Sequence, residues 1–102
     1  MTASPVLPSE HAIVVATERH VACEVGGEAV LLHLDQGVYY GLNAVGARVW
    51  QLIQQPTPLA ELVSQVGAEF DVDHASCSRD LRELVARLAQ AQLVSVTEVP
   101  VA

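Results

Sequence analysis

The sequence predicts an α+β domain in which a small antiparallel three-stranded sheet precedes three helices and a short C-terminal strand. Up to Leu42, β-branched and aromatic residues alternate with glycine-containing turns, whereas from Ala44 onward apolar residues recur at helical spacing. The change falls at Asn43, a residue type that favours helix N-caps. This order of elements is typical of a winged helix-turn-helix domain.

Composition indicates one domain and excludes several functions. The 102 residues are 51% hydrophobic, which suffices for one core. The net charge is −7, with no lysine and five arginines against twelve acidic residues, so nucleic acid is not an expected partner. The N-terminus lacks a basic start, and no run approaches the ~18 apolar residues of a membrane span. We therefore expect a cytoplasmic protein without a membrane partner.

We expect the chain to divide into a flexible N-terminal arm (1–10), the folded domain (11–98) and a tail (99–102). Apolar β-type residues fill 11–16 and 20–25, and the pattern leaves open whether these form one bent strand or two. Gly26-Gly27 then predicts a two-residue hairpin into the next strand.

The second half predicts helices from Ala44, after Thr57 and from His74. Thr57 is expected to cap the second helix with Pro58 at its first position, and Asp73 to cap the third. A buried stripe on the second helix is predicted to end at Phe70. The predicted core stripe of the third helix comprises Cys77, Leu81, Leu84 and Leu88.

The motif Gly37-x-Tyr39-Tyr40-x-Leu42-Asn43, followed by Val49-Trp50 and a last helix closing on Gln92-Leu93-Val94, resembles the PqqD-like family. The resemblance runs from about His20 to Val96. Members of that family recognise the precursors of ribosomally made, post-translationally modified peptides, and this sequence is most similar to the stand-alone versions of lasso-peptide pathways. The resemblance implies a protein without catalytic residues or cofactor that binds the precursor's leader peptide. Its second partner would be the leader-removing protease of the same pathway.

The resemblance also implies where the leader binds. In the family the leader adds as an antiparallel strand beside the third strand of the sheet, in a groove bounded by the third helix. An edge strand offers unpaired backbone groups, and nothing in 38–42 protects that edge with proline, lysine or an inward charge. On the third helix, small side chains would leave room for the ligand and Arg82 would pair with a leader carboxylate. The predicted leader-binding residues are Val38, Tyr39, Tyr40, Gly41, Ser78, Leu81, Arg82, Val85 and Ala89.

Alternative interpretations remain at this level. The N-terminal extension would cover the edge strand, and Ser78 and Ala89 would only let the helix approach the sheet closely. A winged-helix DNA-binding regulator would use the third helix for recognition, although that helix carries Asp80 and Glu83 among its arginines. A purely structural subunit would pair its open edge with another protein.

Neither cysteines nor histidines form a recognisable reactive site. Cys23 and Cys77 lie outside any Cys-x-x-Cys spacing and are expected to be small buried groups. The four histidines share no ligand spacing with each other or with the cysteines, so no metal site is predicted. Nucleophile and phosphate-loop motifs are absent from the sequence, which predicts no enzymatic activity.

Overall fold

The structure, a computed structural model, describes residues 7–18 and 20–99. The first six residues of the predicted arm and the last three of the predicted tail lie outside these ranges, as does Arg19. The described residues form six strands and three helices in the order β1 (Ile13–Ala16), β2 (His20–Val25), β3 (Glu28–His33), β4 (Tyr39–Leu42), α1 (Ala44–Leu52), β5 (Thr57–Pro58), α2 (Leu59–Phe70), α3 (His74–Gln90) and β6 (Val94–Thr97).

The strands form two antiparallel sheets, each with three strands among the described residues. One has the order β2-β3-β4, and the other has the order β5-β1-β6. The apolar runs before and after Thr17 are therefore separate strands in different sheets, which answers the question left open by the sequence. The predicted α+β class, with a sheet before three helices and a C-terminal strand, is confirmed, and β6 pairs with β1.

Both hairpins of the β2-β3-β4 sheet use glycine at positive φ. Gly26 and Gly27 have φ values of 61° and 82°, as a two-residue turn between antiparallel strands requires. Gly37 has a φ of 66°; its N–H donates to the His33 carbonyl at 2.8 Å, and the His33 N–H donates to the Val38 carbonyl at 3.0 Å. Two residues thus oppose His33, which is a β-bulge with glycine at its first position.

Helix starts follow local sequence in two of three cases. The Asn43 side chain accepts from the Gly46 N–H at 2.9 Å, and the Asp73 side chain accepts from the Ser76 N–H at 3.0 Å. The predicted cap Thr57 is wrong. Its hydroxyl donates to the Leu52 and Gln55 carbonyls, because its backbone pairs with β1, and the helix begins one residue later than predicted.

The core lies between the helices and the inner faces of the sheets. Trp50 is 3% exposed and makes an edge-to-face contact with the His20 ring at a centroid distance of 4.7 Å. Two stripe predictions need correction: Phe70 is exposed, and Leu84 is only partly buried, because the buried side of α3 is centred on Leu81 and Val85. The largest fully buried side chains are Leu31, Ile53, Leu59, Leu62, Leu81, Leu88, Leu93, Val14, Val49, Val63, Val66 and Val85.

Candidate functional site

Strand β4 lies at one edge of its sheet, where β3 is its only strand neighbour among the described residues. In an antiparallel pair, residues that hydrogen-bond to the partner strand alternate with residues whose N–H and C=O groups point away from it. The bond from the His33 N–H to the Val38 carbonyl assigns Val38 and Tyr40 to the bonded set. The backbone groups of Tyr39 and Gly41 therefore point toward the open edge.

A groove of about 570 Å³ runs between this strand and helix α3. Its floor is apolar where Leu81 and Leu84 approach β4, and its outer wall carries charged side chains of α3. The lining residues are Tyr39, Tyr40, Gly41, Leu42, Asn43, Val45, Gly46, Asp80, Leu81, Glu83, Leu84 and Arg87. Exposed backbone donors and acceptors, an apolar floor and a charged rim are together the components of a peptide-binding groove.

The opposite side of α3 is occupied by the N-terminal segment 7–10. The Arg82 Nε donates to the Pro8 carbonyl at 2.8 Å, and the Ser78 hydroxyl donates to a Glu10 carboxylate oxygen at 2.9 Å. The bond from Ser78 holds the pKa of Glu10 below its usual value, with His74 adding to the effect. Residues 7–10 therefore pack against the helix rather than across the β4 edge.

The predicted binding residues fall into two groups. Tyr39, Tyr40, Gly41 and Leu81 come together in the groove. Val38 precedes β4 and does not line the groove, while Ser78, Arg82, Val85 and Ala89 lie away from it. Ser78 and Val85 are buried, and Ala89 lines a second, smaller groove of about 340 Å³ together with Leu7, Pro8, Ala86, Gln90, Val96 and Glu98.

Four groove residues of α3 were missed by the sequence analysis: Asp80, Glu83, Leu84 and Arg87. They recur at i, i+3, i+4 and i+7, so they form one helical face. The sequence signal was present, but assigning Leu84 rather than Val85 to the core turned the predicted helix face toward Arg82. Val85 is 0% exposed, which establishes that α3 turns Val85 toward the core.

The cysteines and the titratable groups of the described residues form no second site. Cys77 is buried, and its desolvation raises the pKa of the thiol, whereas Cys23 is exposed on β2, so the prediction that both are buried is wrong for Cys23. In the ranges 7–18 and 20–99, no group of three or more His, Cys, Asp or Glu side chains is arranged to hold a metal ion. None of the helices there has the length and apolar character needed to cross a membrane.

Comparison with known proteins identifies the family. The family model described as Coenzyme PQQ synthesis protein D (PqqD) matches residues 28–94, which is more than half of the chain and includes β3, β4 and all three helices. The chain belongs to the PqqD family. This membership confirms the resemblance found in the sequence.

A solved structure is similar to this PqqD-family protein over most of its length. It is described as TbiB1 in complex with the TbiA(beta) leader peptide, and it is 37% identical with a TM-score of 0.73. The match covers 79% of this chain and 94% of the TbiB1 chain. No curated protein matches the sequence.

Proposed function

We propose that this PqqD-family protein is a non-catalytic adaptor that binds the leader segment of a ribosomally made precursor peptide. The observation that carries the proposal is the match to TbiB1, which was solved with a leader peptide, combined with the groove beside an open edge strand. The bound segment would lie antiparallel to β4 as a fourth strand of the β2-β3-β4 sheet.

The chemistry of the groove supports strand addition. Tyr39 and Gly41 supply two pairs of outward N–H and C=O groups, which bind any extended peptide irrespective of its side chains. Selectivity then comes from the side chains of the peptide that enter the space between β4 and α3. Leu81 and Leu84 line that space with apolar side chains. Leu81 is buried, and Leu84 is partly buried.

Substituting Tyr39 by proline tests strand addition, because proline removes the outward N–H while the bonds of Tyr40 to β3 remain. Fluorescence anisotropy with the labelled cognate leader should give saturable binding to the wild type. We expect Tyr39→Pro to raise Kd by about five- to 150-fold, since a lost buried backbone bond costs about 1–3 kcal/mol.

The matched control is Tyr39→Val, which keeps the N–H and favours a strand. It should bind within about threefold of wild type, because backbone pairing does not depend on the side chain. A flat isotherm with the wild type would overturn leader binding. Equal loss in both variants would show that the Tyr39 side chain, not strand addition, holds the peptide.

Delivery to an enzyme follows from the adaptor role. We infer that the partner is a leader-removing protease and that the pathway makes a lasso peptide, as the sequence resemblance implies. Tethering a leader raises the local concentration of its precursor at the protease without any catalytic group on this chain. We expect this pathway to be cytoplasmic. Adding the protein to a mixture of the protease and the precursor from the same pathway should accelerate cleavage of the precursor, and Tyr39→Pro should abolish that acceleration.

A further inference from the structure

The outer wall of the groove carries charge in a fixed order along α3. Asp80 and Glu83 come first in the direction of the chain, Leu84 follows, and Arg87 comes last. All four line the groove, and the helix rises about 1.5 Å per residue, so the acidic and basic ends are separated by about 6–10 Å. One end of the wall is negative and the other positive.

The side chain of Arg87 has no partner among the described residues. Arg48 is held by Glu69 through two bonds of 2.9 and 3.0 Å, and Arg82 donates to the Pro8 carbonyl. The Arg79 Nε lies 3.8 Å from the Asp80 Oδ1. In the part of the chain that the structure describes, no hydrogen bond or ion pair engages the guanidinium of Arg87, whose backbone carbonyl accepts from the Ala91 N–H within the last turn of the helix.

The carboxylate of Glu83 likewise has no hydrogen-bond or ion-pair partner within the described ranges, although Glu83 lies one turn before Arg87. An arginine side chain without a partner is notable in a chain of net charge −7, because the twelve acidic residues outnumber the five arginines. Both side chains are therefore available to charges on a bound peptide.

Two contacts fix how the wall is aligned with β4. The Gln36 amide, in the turn before β4, donates to the Gln92 side chain just beyond the end of α3 at 2.8 Å. At the other end, α1 follows β4 directly, and its Arg48 bonds Glu69 near the end of α2, shortly before α3 begins. The start of β4 thus lies toward Arg87, and its end lies toward Asp80.

From this alignment we infer that the groove selects peptides by charge order: a basic residue N-terminal to an acidic one. The inference rests on the proposed function, in which the peptide runs antiparallel to β4. Such a peptide begins beside the acidic end of the wall and ends beside Arg87. Same-face residues of a strand repeat about every 6.7 Å, so charges two residues apart match the spacing of Glu83 and Arg87, and charges four residues apart, about 13 Å, reach Asp80 and Arg87 through their side chains.

A displayed library of random dodecapeptides tests this preference, because it offers both charge orders to the groove in equal numbers. Peptides selected on the wild-type protein should carry a basic residue two or four positions before an acidic residue more often than the reverse. The best peptide and its isomer with the two charges exchanged, which have identical composition, are then titrated. We expect the isomer to bind about two- to fivefold more weakly, the effect of partly exposed ion pairs.

The double variant Glu83→Arg/Arg87→Glu should abolish that preference while leaving net charge unchanged, because the wall then has Asp80 and residue 87 negative on either side of a positive residue 83. Its matched control is Arg48→Glu/Glu69→Arg, which exchanges the same charges within an ion pair whose two residues do not line the groove. This control should keep the wild-type preference. Circular dichroism and thermal unfolding verify that both variants are folded.

Each outcome bears on the inference. Selected peptides without a charge order, or an isomer that binds equally well, overturn the charge-order inference and leave strand addition intact. Selected peptides with an acidic residue before a basic one would overturn the inference that the bound peptide runs antiparallel to β4 with its basic residue beside Asp80 and Glu83. No enrichment on the wild type counts against leader binding itself, and the charge-order inference falls with it.

Discussion

Arg82 and Arg87 lie on different sides of α3 and have different surroundings. Arg82 donates to the Pro8 carbonyl and so ties the helix to the N-terminal segment. Arg87 lines the groove beside β4. Arg82 therefore stabilises the fold, whereas Arg87 is part of the proposed binding site.

Replacing each arginine by leucine separates the two roles. Arg82→Leu should lower the free energy of unfolding by about 1 kcal/mol, the net value of one hydrogen bond, and leave peptide binding unchanged. Arg87→Leu should leave stability within about 0.5 kcal/mol of wild type and weaken peptide binding by about two- to fivefold. Urea unfolding and anisotropy titration measure the two quantities, and weaker binding by Arg82→Leu alone would restore the sequence-based assignment.

Residue identities predicted the strand on one side of the groove. Tyr39, Tyr40 and Gly41 line the groove, and the β-type run that contains them after a glycine turn indicated a strand, while the family resemblance pointed to its edge. The third helix was turned the wrong way because Leu84 and Val85 are adjacent and both apolar. Only packing against the rest of the core decides which of the two is fully buried.

The hairpin of β3 and β4 sets the position of the open edge. Gly37 places two residues opposite His33 and thereby determines which residues of β4 point outward. Gly41 lies on β4 itself with an ordinary strand backbone. Neither glycine has an atom within 4 Å of the position that a Cβ would occupy, so only the backbone conformation distinguishes them.

Alanine substitution at the two glycines should therefore have opposite effects. Gly37→Ala forces a side chain into the left-handed region and should cost about 1–2 kcal/mol of unfolding free energy. Gly41→Ala should be neutral or stabilise by up to about 0.5 kcal/mol, because it reduces the entropy of the unfolded chain. Urea unfolding of both variants checks this, and equal destabilisation would argue against the bulge.

Elements specified by near neighbours were predictable, and elements specified by distant ones were not. The caps Asn43 and Asp73 bond to backbone groups three residues away, so the sequence pattern identifies them. Thr57 has the sequence of a cap as well. Its pairing with Val14 of β1, far away in the chain, overrides that local preference.

The two ends of the described chain are joined on one side of the molecule. β1 pairs with β6 over four residues, and Ser9 bonds the Glu98 carboxylate through its N–H at 3.0 Å and its hydroxyl at 2.6 Å. Glu10 extends this contact to α3 through Ser78. Carboxylates that accept hydrogen bonds therefore attach the N-terminal segment to the rest of the fold.

Acid should loosen this attachment. The hydrogen bond from Ser78 lowers the pKa of Glu10, and bonds from Ser9 lower the pKa of Glu98. Since the unfolded chain binds protons more tightly at these groups, their contribution to stability is complete above the ordinary pKa of 4.5 and is lost as pH falls through the lowered values.

Urea unfolding of the wild type and Glu10→Gln from pH 7 to pH 3 measures this dependence. The wild type should be the more stable at pH 7, and the difference should shrink below pH 4.5, because glutamine does not titrate while protonation of Glu10 removes its charge. Glu61→Gln is the matched control, since among the described residues the Glu61 carboxylate accepts a side-chain hydrogen bond only from its helix neighbour Gln65. A constant difference between wild type and Glu10→Gln across this range would mean that the Glu10 charge does not hold the N-terminal segment against α3.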